Sequence, residues 1–168
     1  MNAQAQQALA PAQLRLLSSF FATGVTAVLS GHGGERLGMT VNSFTSLSLD
    51  PPLVLFGAQS GSSVLQAIRT SGCFTVNVLA ADQTDISSQL ARRGGPEKMR
   101  GIDTVTAPCG APRLTGALAW FECALDRCEA AGDHLIVIGH VLDGGCQKTA
   151  CEPLLFFRSA YRALRAVD

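Results

Sequence analysis

The chain has 168 residues, 47% of them hydrophobic, and its 13 basic and 13 acidic side chains cancel. That length suits one domain with its own core, and balanced, unclustered charge lacks the cationic footprint of a nucleic-acid binder. No apolar run approaches the roughly 20 residues of a membrane-spanning helix, so small molecules and protein surfaces are the expected partners.

Residues 1–12, rich in Ala and Gln with no positive charge ahead of an apolar stretch, do not read as a secretory signal, which predicts a cytoplasmic protein. They read instead as a disordered tail before a single domain over 13–168. After Pro11, suited to a helical first turn, Leu14, Leu17, Phe20 and Phe21 recur at three- and four-residue steps, predicting a short helix over 12–22 that lies on a sheet. Residues 25–30 are β-branched and aliphatic and predict a strand. The turn Gly31-His32-Gly33-Gly34 closes it and leaves His32 solvated.

The run 38–52, Gly-Met-Thr-Val-Asn-Ser-Phe-Thr-Ser-Leu-Ser-Leu-Asp-Pro-Pro, is the most unusual segment. Thr40, Asn42, Ser43, Thr45, Ser46 and Ser48 crowd small hydrogen-bonding groups into strand-like alternation before a rigid turn. Such a strip fits either an ordinary Thr/Ser-rich edge strand or a surface that hydrogen-bonds a flat polar ring. Residues 53–57 form a continuous apolar run, hence a buried strand, and the three segments are expected to form one sheet layer.

Residues 62–70 are helical in pattern, with Val64, Leu65 and Ile68 as the apolar face, Ser62 or Ser63 as N-cap and Gly72 past the end. Residues 73–79 alternate as a strand, 82–92 predict a second surface helix, and a loop runs from Gly94-Gly95-Pro96 to about Pro112. Two long β-type runs, 118–129 and 134–142, are joined at Ala130-Ala131-Gly132-Asp133, and 154–157 make a last short strand. Six or seven strands with three short helices predict a mainly β chain, an antiparallel barrel rather than a parallel α/β sheet. The absence of G-x-G-x-x-G removes a Rossmann nucleotide site.

Six cysteines contain no C-x-x-C pair. Cys123 and Cys128, like Cys146 and Cys151, are five steps apart, which puts each pair on opposite faces of a strand. Buried thiols, and neither a zinc site nor a disulfide framework, are expected. Gly61-Ser62-Ser63 opens a helix, where free amides and two hydroxyls hold an anion such as phosphate, although a simple N-cap uses the same residues. With the polar strip, this suggests a ligand with a hydrogen-bonding ring at one end and phosphate at the other, the shape of flavin mononucleotide. His134 follows a tight turn into an apolar strand and shares a strand face with His140, which reads as structural.

Four ordered blocks resemble the short-chain flavin reductase family, the reductase components of two-component flavin-dependent monooxygenases: Phe21-Ala22-Thr23-Gly24-Val25, the run 38–52 with its Asp-Pro-Pro-Leu-Val ending, Phe74-Thr75-Val76-Asn77-Val78-Leu79, and Gly132-Asp133-His134. The resemblance implies an FMN-binding split barrel of Greek-key type, homodimeric with flavin at the subunit interface, that reduces FMN or FAD with NADH or NADPH and serves a separate monooxygenase. By position it assigns Thr40, Asn42, Ser43, Phe44, Thr45 and Ser46 to the isoalloxazine ring, and Gln59, Ser60, Ser62 and Ser63 to the ribityl and phosphate end. Gly132, Asp133 and His134 go to the nicotinamide, with His134 as the catalytic residue, and Asn77 and Tyr161 lie near the flavin. Gln89-Leu90 and Lys98-Met99 depart from the family's Arg/His-Phe and Lys-Phe pairs, leaving Gln89, Arg92, Arg93 and Lys98 as the phosphate candidates on that side. A non-catalytic flavin carrier, or a split-barrel oxidase acting on another small substrate, shares most of these features.

Overall fold

The computed structural model describes residues 9–147 and 151–164. In chain order these form α1 (Pro11–Ser18), β1 (Thr23–Gly24), β2 (Thr26–His32), β3 (Glu35–Val41), β4 (Thr45–Leu49), β5 (Pro52–Gln59), α2 (Ser63–Ser71), β6 (Cys73–Val78) and α3 (Thr84–Leu90). A 3-10 turn at Pro96–Met99 is followed by β7 (Thr104–Thr106), β8 (Pro112–Leu114), β9 (Ala119–Ala131), β10 (His134–Cys146), β11 (Leu155–Phe157) and β12 (Ala160–Arg162).

Seven strands form the main sheet in the order β3-β2-β6-β9-β10-β5-β4, and every neighbouring pair is antiparallel. β1, β11 and β12 make a small second sheet, and β7 pairs with β8. The mainly β architecture with short helices is the one the sequence predicts. The polar strip, however, is two strands and not one. β3 ends at Val41, Asn42-Ser43-Phe44 leave the ladder, and β4 resumes at Thr45 on the opposite edge of the sheet. The single layer expected from 25–30, 38–52 and 53–57 is therefore divided between the two ends of one curled sheet. The expected 94–112 loop is likewise more ordered, holding the 3-10 turn and β7.

One core lies between the sheet and α2, built on Phe56, Val64, Ile68, Phe74 and Val76. α2 begins as read, with Ser62 Oγ accepting from the Leu65 amide, and it ends on Gly72 in the left-handed region, where a side chain is costly. A second core under α3 and the 3-10 turn gathers Leu29, Leu79, Leu90, Met99 and Leu154. α1 has a different position from the one predicted. It starts at Pro11, inside the expected tail, and buries none of its residues: Leu14, Leu16 and Leu17 are 58–60% exposed. Residues 1–8 of the expected tail lie outside the described residues.

Gly38 of β3 is where the second core meets the sheet. A Cβ there would lie 2.6 Å from Leu29, 2.8 Å from the Met99 sulfur and 2.9 Å from Leu90, all closer than real contacts allow. Gly38→Val is therefore expected to destabilise the fold by about 2 kcal/mol, read as a lowered urea midpoint with unchanged slope; an unaltered midpoint would contradict the close approach.

Candidate functional site

A cleft of about 710 Å³ opens between the end of β3, the Asn42-Ser43 connection, β5, the start of α2 and the segment after α3. Its components follow one another along β5. The Gly57 amide donates to Ser43 Oγ at 2.9 Å, which seats the β3–β4 connection over β5. Asn42, exposed on that connection, and Gln59, exposed at the end of β5, commit their side-chain amides to no protein group among the described residues and so leave them open to a neutral polar ligand. Three residues further on, α2 starts, and its first-turn amides have no intrahelical acceptor by the geometry of a helix end. Across the cleft stand Arg92 and Arg93, exposed and in no ion pair among the described residues, on a segment joined to α2 by the Ser63 hydroxyl, which donates to the Gly94 carbonyl at 3.3 Å.

The β9–β10 hairpin delivers the remaining wall. Its two-residue turn has Gly132 at φ +64°, a conformation that favours glycine, and His134 pairs with Ala131 on one side and Gln59 on the other. The Ser60 amide and hydroxyl both donate to the Asp133 carbonyl, at 3.2 and 3.0 Å, tying the hairpin tip to the β5–α2 turn. Asp133 Oδ1 lies 2.7 Å from His134 Nδ1, and that hydrogen bond, with the imidazole's charge, holds the Asp133 carboxyl below the usual carboxylate range. The pair fixes the ring's orientation and leaves Nε2 for a ligand.

Of the residues expected at a ligand, the cleft gathers Thr40, Asn42, Ser43, Gln59, Ser62, Ser63, Arg92, Arg93, Lys98 and His134. Gly132, Asp133 and Ser60 support it from behind. The others stand elsewhere, each for a visible reason. Asn77 is fully buried in β6, where its amide donates to the Ala27 carbonyl and Thr75 and accepts from the Leu114 amide, so it braces the sheet. Gln89 donates to two backbone carbonyls behind the cleft. Tyr161 packs against Phe156 and donates to Ser87 Oγ at 2.8 Å, under the second core. Phe44 packs on Phe121, and Thr45 and Ser46 sit exposed on β4 outside the cleft of the single chain. His140 is also exposed and outside it. Met39 and Gly57 line the cleft without having been singled out; neither carries a polar side chain that could have signalled it.

A curled antiparallel sheet with a neutral-to-cationic cleft along its open seam, and a histidine hairpin at its side, defines a split-barrel fold. Residues 17–165 match the model of the flavin reductase like domain, and the chain belongs to that family. It is 38% identical to the reductase subunit HsaB of a flavin-dependent monooxygenase from Rhodococcus jostii, over 97% of this chain and 83% of that one. It is 39% identical to the FMN reductase (NADH) SmoA of Agrobacterium fabrum, over 84% and 79%. Among solved structures, the NADH:FAD oxidoreductase SgcE6 of Streptomyces globisporus superposes with a TM-score of 0.87 at 35% identity, covering 99% of this chain and 96% of that one. That relative has also been solved in complex with NAD and FAD fragments.

The cysteines lie apart from this cleft. Among the described residues no group of three or more His, Cys, Asp or Glu side chains is placed to hold a metal ion. Burial pushes the thiols of Cys109 and Cys123 up to about 12, and since the thiolate is the reactive form both stay inert at pH 8. A thiol reagent added to native protein at pH 8 is expected to label exposed Cys146 and to spare Cys109 and Cys123 until denaturant is added, as peptide mass mapping reads directly.

Proposed function

We propose that the cleft holds the FMN or FAD that this chain, an NAD(P)H-dependent flavin reductase, reduces for a partner monooxygenase. The donor set fits such a molecule. Asn42 offers an amide beside Ser43 and Gly57 for a polar ring edge; Gln59 follows at the strand end for the ribityl chain; the start of α2 with Arg92 and Arg93 suits a phosphate. His134, oriented by Asp133, is the contact for the nicotinamide. The bound cofactors supply the hydride chemistry, which is why the chain needs neither a nucleophile nor a strong acid. What the protein contributes is alignment and a fixed polar environment. The single observation that carries this reading is one cleft that gathers the amides of Asn42 and Gln59, the guanidiniums of Arg92 and Arg93 opposite them, and the Asp133-oriented His134.

NADH mixed with FMN or FAD is expected to lose its nicotinamide absorbance in the presence of the protein, well above background, and His134→Ala is expected to raise KM for NADH about tenfold while moving the flavin KM less than twofold. An absence of oxidation with either flavin would refute the function, and an equal rise in both KM values would refute the role of His134.

A homodimer completes this reading. Phe21 and Leu49 are 77% and 92% exposed, and α1 turns Leu14, Leu16 and Leu17 outward, apolar side chains that a second copy would cover. Light scattering should give twice the chain mass at micromolar concentration; a monomeric particle would overturn the dimer. No described helix is long and apolar enough to cross a membrane, and we assign the enzyme to the cytoplasm.

A further inference from the structure

Gln89 and Lys98 stand where a phosphate contact was expected, and the structure employs both otherwise. Gln89 Nε2 donates to the Lys98 carbonyl at 2.7 Å and to the Arg100 carbonyl at 2.9 Å, which consumes both hydrogens of its amide. Lys98 is only 8% exposed, and its Nζ donates to the Leu90 carbonyl at 3.1 Å. Burial holds this ammonium below the usual lysine range, consistent with a group enclosed by protein. Thus α3 and the 3-10 turn are tied to each other three times by two side chains. On the far side, Ser63 Oγ ties the Gly94 carbonyl to α2.

Between the tied carbonyls of Leu90 and Gly94 lie only three residues, Ala91, Arg92 and Arg93. Both arginines line the cleft, both are exposed, and neither meets a carboxylate among the described residues. Guanidinium groups bind phosphate oxygens through paired N–H donors, but an unfixed segment would lose part of that affinity to the entropy of ordering its backbone. Anchoring both ends before the ligand arrives removes that cost. Resting on the flavin reading above, we infer that Gln89 and Lys98 are positioning residues that tie α3 to the 3-10 turn and so hold Arg92 and Arg93 at the flavin phosphate.

The test compares equilibrium binding of FMN with that of riboflavin, which carries the same ring without phosphate, by quenching of flavin fluorescence. Wild type is expected to bind FMN at least tenfold more tightly than riboflavin. Gln89→Ala is expected to remove about tenfold of that preference. Gln89→Glu keeps the volume but turns the donor into an acceptor facing two carbonyls, and is expected to do the same. It decides the matter if the alanine variant folds poorly. In a background lacking both guanidiniums, Arg92→Ala with Arg93→Ala, the further change Gln89→Ala is expected to alter the FMN-to-riboflavin ratio less than twofold, because Gln89 acts only through the arginines. A merely structural glutamine would weaken both ligands alike. The inference is overturned if wild type does not prefer FMN, if the Gln89 variants keep the ratio, or if they still lower it without the arginines. Selective FMN binding without NADH oxidation would instead sink the reductase reading and leave the positioning role standing.

Discussion

Three residues, Asn42-Ser43-Phe44, join strands that lie on opposite edges of a seven-stranded sheet, and that short tether dictates the shape of the molecule. Laid flat, seven strands would put their outer edges about 29 Å apart at the usual strand spacing, whereas the tether reaches at most about 14 Å from Val41 to Thr45. The sheet has to curl until its edges nearly meet. β3 and β4 remain unpaired edges, and the tether crosses from one to the other with Ser43 hydrogen-bonded to Gly57 of β5. A split barrel, and a cleft along the split, follow from this one constraint.

Everything the site needs is arranged relative to that seam. α2 leaves β5 beside it, so a helix start faces the same space as the tether. The β9–β10 hairpin, paired along β5, ends where β5 ends, and Ser60 holds its tip in place. Gly38 admits α3 and the 3-10 turn close against β3, which brings the arginine segment over the remaining side. Small side chains matter here less as ligand donors than as fasteners: Thr40 donates to the Ser87 carbonyl at 2.6 Å, Ser62 caps α2, and Ser63 holds Gly94. The groups left for a ligand are the few whose hydrogen bonds the fold does not consume.

Local features were legible wherever a residue and its partner are neighbours in the chain. The N-cap and glycine end of α2 and the two-residue turn that presents Asp133 and His134 follow from propensities acting over a few positions, whereas β5, read as a continuously buried strand, alternates between buried Val54, Phe56 and Ala58 and less buried neighbours. α1 misled because its three- and four-residue apolar spacing describes a face without saying what covers it; that face is open in the single chain. The polar strip misled because alternation continues through Asn42 to Phe44 although the ladder does not, and a change of partner strand leaves no mark on side-chain type.

Residue order alone therefore establishes the class of fold, the family, and the two stretches around 40–63 and 132–134 that meet at the cleft, since these rest on periodicity, turn chemistry and short motifs. Which polar groups are free to meet a ligand was decided only when distant segments packed. Asn77 is spent on Ala27 and Leu114, 50 and 37 residues away, and Tyr161 on Ser87, 74 residues away. An amide or hydroxyl looks the same in a sequence whether its hydrogens are committed or spare, and its partner is named by the tertiary contact alone.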